Sequence, residues 1–255
     1  MTVTFARAHY GAHVVFGELF GEVLTVESGG TRHDAPARGT AIPVDQLKLL
    51  PPVAPSKIIA VALNYRAHAE EMKKPIPEEP MFFLKPTSSI IANGDNIVIP
   101  KDSQEVHHEA ELGIVLNRHL HNATLQEARH AVLGVTCVND VTARDIQRRQ
   151  NHYTRAKGYD TFCPVGPFIV AGVDISDLPV RLRVNGELRQ QGSTADMIFD
   201  PWQLISFISK IMTLNPGDLI STGTPPGVGP LRPGDSVEVD IEGVGQLRNH
   251  VVATP

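Results

Sequence analysis

The sequence predicts a β-rich α+β protein with few helices, and three observations carry that reading. The 255 residues include 21 glycines and 20 prolines but only 5% aromatics, so turn chemistry is abundant without low complexity. Apolar runs are short, of strand rather than helix length, and turn residues separate them. Helix starts are scarce but chemically explicit, with side chains suited to cap orphan amides.

The elements follow in order. Segments 2–8, 14–20 and 22–27 predict a small N-terminal β unit over residues 1–52. The stretch 50–55 (LPPVAP) leads out of it stiffly, because proline fixes φ and disfavours helix in the residue before it. Residues 53–255 then read as one domain. It opens with a strand at 58–63 and a short helix through 64–72. A polar, proline-rich segment at 73–80 (KKPIPEEP) follows and suits a loop or a lid. Further strands are predicted at 81–85, 96–99, 110–116, 133–139, 168–171, 181–184, 218–221 and 236–241. Thr124 and Glu127 form a T-x-x-E capping box before a helix over 128–132. Thr142 and Asp145 mark a second start, running to about Gln150. Asn185-Gly186 centres a hairpin turn. Asp200-Pro201-Trp202-Gln203 is the clearest start, and its helix runs to about Met212 before Asn215-Pro216-Gly217 stops it.

Charge and composition bound the function. With 23 Lys+Arg against 28 Asp+Glu the net charge is −5, which argues against nucleic acid or an anionic membrane as partner. The longest stretches without a charged residue, 161–173 and 219–231, are broken by Gly and Pro and fall short of the ~20 residues that span a bilayer. The N-terminal MTVTFARAHYG lacks the charged-then-apolar layout of a signal peptide. Cys137 and Cys163 have neither metal spacing nor a disulfide framework and are expected to be core thiols. Together these features predict a cytoplasmic protein.

Four clusters carry chemistry. In His107-His108-Glu109-Ala110-Glu111-Leu112, a strand would set Glu109 and Glu111 side by side opposite the apolar Ala110, Leu112, Ile114 and Leu116. Neighbouring carboxylates repel unless a cation or a shared proton compensates. Asp140 ends the next apolar run, and three carboxylates around one point would suit Mg²⁺ or Mn²⁺. The same E-x-E spacing also describes the wet face of an edge strand, and spacing alone does not decide. On the helix after Asn64-Tyr65, His68 and Glu71 stand one turn apart, the arrangement of a general-base dyad or of a plain solvated helix. Arg144, Gln147 and Lys157 follow Asp140 and would suit an anionic substrate. Finally, the charge-free loop 222–230 offers hydroxyls and amides to a carboxylate, or is a structural turn.

Taken in order, these motifs resemble the fumarylacetoacetate hydrolase family. The matching set is Asn64-Tyr-x-x-His68-x-x-Glu71, Phe83-Leu-Lys85-Pro86, His107-His-Glu109-Ala-Glu111-Leu, Asn139-Asp140-x-Thr-x-Arg144-Asp-x-Gln147, Lys157, Val184-Asn-Gly186-Glu and Thr222-Gly-Thr224-Pro. It covers residues from about 56 to 252. Within the family, VNGELRQQG, MTLNPGD and IEGVG resemble single-unit hydroxyheptadiene-dioate isomerase/decarboxylase relatives, and are shared by oxaloacetate decarboxylases and acylpyruvate hydrolases.

The resemblance implies a mixed β-sandwich roll, a homodimer, and Mg²⁺ or Mn²⁺ held by Glu109, Glu111 and Asp140. It implies His68 and Glu71 as a dyad on a lid that orders over substrate, with Lys157 also catalytic. Arg144, Gln147, Thr224 and Lys85 match substrate-contacting positions. Leu63 departs from relatives that carry Arg there, which leaves this pocket one cation fewer. The expected reaction is decarboxylation or isomerisation of a 2-oxo or 2-hydroxydienoic dicarboxylate in aromatic catabolism, through a metal-stabilised enolate. Oxaloacetate decarboxylation and C–C hydrolysis of an acylpyruvate or fumarylacetoacetate are the alternatives. A non-catalytic small-acid-binding member of the fold is the alternative of another class.

Overall fold

Twenty β-strands, in sheets of twelve, five and three, dominate the described residues. The computed structural model describes residues 1–29, 34–150 and 153–254. A 12-stranded sheet follows the order Ala41–Pro43, Val23–Ser28, His13–Phe20, Val3–Tyr10, Cys163–Ala171, Val132–Asn139, Ala110–Leu116, Leu219–Ser221, Ile58–Ala62, Met81–Lys85, with two short strands off this path. A five-stranded sheet runs Glu187–Ser193, Pro179–Val184, Ser236–Ile241, Gly245–Ala253, Asn96–Ile99. The largest core fills the space between them, with Leu112, Val135 and Cys137 of the first sheet against Leu182, Val239 and Leu247 of the second. This is the mixed, β-rich α+β architecture that the composition predicts.

The N-terminal strands have a small core of their own, built on Ala6, Ala8, Val15, Leu24, Val26 and Ile42. They also continue the large sheet, because Val3–Tyr10 pairs antiparallel with Cys163–Ala171. Among the described residues no helix is long and apolar enough to cross a membrane. Cys137 and Cys163 are buried free thiols, and burial pushes the Cys163 thiol up to about 12.

Strand Ala110–Leu116 is central, not an edge. It pairs with Val132–Asn139 on one side and Leu219–Ser221 on the other, and all seven residues are buried. The edge-strand alternative for the E-x-E pair therefore fails. One strand expectation also needs correction. Glu109 does not belong to the strand that carries Glu111; it sits at a break after Val106–His108, a strand of a separate three-stranded sheet. The chain crosses from one sheet to another at that residue.

Helix ends behave as their chemistry dictates. Helix Leu125–Arg129 starts at the Thr124/Glu127 box, earlier than expected, because Val132 already opens the next strand. Helix Pro201–Ser209 is capped by Asp200 and Gln203 and ends before Met212. Helix Arg144–Gln150 begins after Thr142–Ala143, which pair in a sheet instead of capping. Strand Gly245–Ala253 was not expected. Its charged, exposed alternate residues obscure a strand whose other face is buried.

Candidate active site and metal centre

Two parallel strands, Ile58–Ala62 and Leu219–Ser221, deliver their C-terminal ends to one place. Their register is fixed at the other end. Asp218 accepts from Ser56 Oγ at 2.6 Å and from Lys57 Nζ at 2.5 Å, and its side chain is fully buried. At the far end Asn64, also fully buried, donates to Thr222 O and Phe199 O and accepts from Phe199 N. Between strand and Asn64, Leu63 adopts φ 53°, a left-handed conformation that a bulky residue rarely takes. Such strain concentrates where a chain is bent toward a functional site.

Glu109, Glu111 and Asp140 meet here, with ligand oxygens all within 4.8 Å of one another. Glu111 accepts from Ser221 Oγ at 2.5 Å and Gly223 N at 2.8 Å. Asp140 N donates to Glu109 O, and Asn139 Oδ1 accepts from Glu109 N, so the sheet break is pinned to the next strand. Three buried cations surround the group. Lys157 Nζ bridges Glu109 Oε2 at 2.7 Å and Asp140 Oδ2 at 2.5 Å. Lys85 Nζ donates to Asp140 Oδ1 and Lys157 O, both at 2.5 Å. Arg144 donates to Glu109 Oε1 and to Gln147 Oε1.

The electrostatics divide the carboxylates. Burial alone would raise the Glu109 carboxyl, but Lys157 and Arg144 outweigh it and hold the group below the usual range. Glu111 goes the other way, because burial and the charges of Asp140 and Glu109 push it well up. Burial opposes the charged form of Lys157, yet Asp140 and Glu109 win and raise it. Glu111 is thus the carboxylate short of positive charge. Three hard oxygen donors, one of them under-compensated, fit a divalent cation such as Mg²⁺ or Mn²⁺.

A cavity of about 200 Å³ opens onto this cluster and is lined by His68, Glu109, Glu111, Arg144, Gln147, Lys157 and Thr224. His68 Nδ1 lies 2.9 Å from Glu71 Oε2, and the other Glu71 oxygen accepts from Gly227 N at 3.0 Å. Seven of the ten residues singled out from sequence line this cavity. Glu71, Asp140 and Lys85 do not, and are joined to it by their bonds to His68, Lys157 and Asp140 respectively; the Lys85 side chain, expected to contact substrate, is fully buried. Sequence reasoning missed Ser221 and Gly223 as the holders of Glu111. It also missed Met72, Lys74, Arg148 and Tyr153 in the cavity wall, whereas Leu63, singled out from sequence as a departure from relatives, does line it. Ser221 and Gly223 had signals, as the last residue of a predicted strand and as a backbone amide of the 222–230 loop expected to meet a carboxylate.

Residues 57–252 match the family model described as fumarylacetoacetate (FAA) hydrolase C-terminal. The chain belongs to the fumarylacetoacetate hydrolase family. Among its relatives, mitochondrial oxaloacetate decarboxylase of Dictyostelium discoideum is 46% identical over 195 residues, 74% of this chain and 89% of that protein. The solved structure of 2-hydroxyhepta-2,4-diene-1,7-dioate isomerase from Mycobacterium marinum is 38% identical with a TM-score of 0.89, covering 99% of each chain. Fumarylpyruvate hydrolase from Pseudomonas aeruginosa, solved with Mn²⁺ and pyruvate, is 31% identical with a TM-score of 0.75, covering 81% of this chain and 92% of that one. The family's members thus include a decarboxylase, an isomerase and a hydrolase on one fold.

Proposed function

We propose that this protein is a divalent-metal-dependent enzyme that decarboxylates or isomerises an unsaturated 2-oxo dicarboxylate. The observation that carries the reading is the convergence of three buried carboxylates at a cavity that also receives His68, Arg144, Gln147, Lys157 and Thr224. Relatives named as an oxaloacetate decarboxylase and a 2-hydroxyhepta-2,4-diene-1,7-dioate isomerase support it.

Glu109, Glu111 and Asp140 would hold one Mg²⁺ or Mn²⁺, which supplies Lewis-acid polarisation of a 2-oxo group when bound. The chain's own residues do the rest. Lys157 lies in the cavity wall and offers an ammonium to negative charge that develops beside the ketone. Arg144 and Gln147 lie one helical turn apart, are hydrogen-bonded to each other and both line the cavity, where their remaining N–H hydrogens suit a substrate carboxylate. Thr224 adds a hydroxyl from the opposite loop. Glu71 holds the His68 ring by Nδ1, which leaves Nε2 to take or return a proton at substrate carbon or water. Lys85 serves behind this group: with its bonds directed to Asp140 and Lys157 O, it positions Asp140 and does not meet substrate.

The His68–Glu71 pair also supports a second reading, C–C hydrolysis of an acylpyruvate by water that His68 activates, in line with the fumarylpyruvate hydrolase relative. A panel of 2-oxo acids, including oxaloacetate and an acylpyruvate, assayed with Mg²⁺ and with Mn²⁺ and with products identified, separates these outcomes. Release of CO₂ or a tautomer supports the first reading, and cleavage to two acids the second. Binding of Mn²⁺ with no turnover of any member would overturn both in favour of a non-catalytic small-acid-binding protein.

A further inference from the structure

Gln190 sits where the substrate loop, the metal-ligand strand and the five-stranded sheet come together, and its amide is fully engaged. It is 1% exposed on strand Glu187–Ser193. A bulge precedes it: Arg183 pairs with Leu188 and Leu182 with Gln190, so Arg189 is the extra residue. Bulges beside functional sites re-aim a side chain, and here the amide points into the molecule toward the loop 224–227.

The orientation of that amide is fixed by its backbone partners. Ala110 N, which can only donate, lies 3.0 Å from Oε1. Pro225 O, which can only accept, lies 2.8 Å from Nε2. Two further contacts then acquire a direction. His108 Nδ1, 2.9 Å from Oε1, must carry a hydrogen and donate it. Thr224 Oγ1, 2.8 Å from Nε2, must accept the second amide hydrogen. A hydroxyl that accepts from Gln190 keeps its own hydrogen for another acceptor, and Thr224 lines the cavity. The loop is gripped from the other side as well, since Glu71 accepts from Gly227 N and the Arg189 carbonyl packs against Gly227.

Resting on the functional reading above, we propose that Gln190 is a positioning residue that makes Thr224 an obligate hydrogen-bond donor to the carboxylate of an anionic substrate. Gln190 touches no substrate. It fixes which way the Thr224 hydroxyl faces, and through Ala110 it ties that choice to the strand that carries Glu111.

The test uses oxalate, a compact mimic of a 2-oxo carboxylate, and calorimetric binding to the full-length protein loaded with Mn²⁺. Gln190→Glu keeps an acceptor for Ala110 and His108 but replaces the donor, so the Thr224 hydrogen turns toward residue 190. Oxalate should bind about tenfold or more weakly, as expected for loss of one hydrogen bond to a charged group. In a Thr224→Val background, Gln190→Glu should cause no further loss, whereas Thr224→Ser should bind within about threefold of wild type. Gln190→Met, which removes every polar partner, should obey the same non-additivity and serves if Gln190→Glu does not fold. A general structural role would weaken binding equally in both backgrounds, and additive losses overturn the proposal. Wild-type protein that takes up Mn²⁺ but never oxalate overturns the functional reading, and this proposal with it.

Discussion

At the residue scale, the site is a balance of buried charges in which each carboxylate has a different partner. Among the described residues, Glu109 is held between Arg144 and Lys157, Asp140 between Lys85 and Lys157, and Glu111 by Ser221 Oγ and Gly223 N with no cation bonded to it. Glu111→Ala should therefore reduce Mn²⁺ affinity steeply in calorimetry while leaving the three cations paired. His68→Ala should separate from it: Mn²⁺ binding stays near wild type and kcat falls about 10²–10⁴-fold, the usual contribution of a positioned general base. The sequence made these residues legible because their spacing follows from simple geometry, as with His68 and Glu71 one helical turn apart. It could not assign Lys85 to the back of Asp140, because which face of strand Met81–Lys85 a lysine takes depends on the strand packed beside it.

At the element scale, two parallel strands carry the loops that shape the cavity, and their base is locked by Asp218. The Asp218 carboxyl would rise on burial, but Lys57 and Ser56 more than offset this and hold it low. A carboxylate depressed in the folded protein stabilises it above the unfolded value of roughly 3.9, and that stability is lost as pH falls through the folded value. Asp218→Asn should lower stability near neutral pH by about 2 kcal/mol, read by denaturant titration, and should flatten the acid limb of the pH–stability curve. The loop itself depends on Gly227, which has φ +97° and whose added Cβ would lie 2.2 Å from Arg189 O. Gly227→Ala should cost more than about 1 kcal/mol and raise KM, because the amide that Glu71 holds must move. Capping residues marked helices Leu125–Arg129 and Pro201–Ser209 in advance, and Asn185-Gly186 marked one hairpin. The i, i+2 spacing of Glu109 and Glu111 does not register that the chain leaves one sheet at His108 and enters another at Ala110. Strand Gly245–Ala253 was hidden by Arg248 and His250 on its solvent face.

At the scale of the whole molecule, the high glycine and proline content is the hardware of a roll in which non-local strand pairs converge on one buried acidic cluster. The net charge of −5 gives no hint of this, since three carboxylates and three cations cancel inside the protein. The fold class was readable from composition and turn chemistry. The meeting of residues 68, 111, 140, 157 and 224 was not, because it is a consequence of sheet order rather than of any local pattern; only the resemblance of ordered motifs joined them. The central claim is that these carboxylates form a metal centre on which turnover of a 2-oxo acid depends. Its most direct test is the rate on the best substrate of the 2-oxo acid panel before and after exhaustive chelation, followed by titration with Mn²⁺. The account predicts that chelation abolishes turnover and that about one equivalent of Mn²⁺ restores it; full activity in the metal-free protein would contradict it.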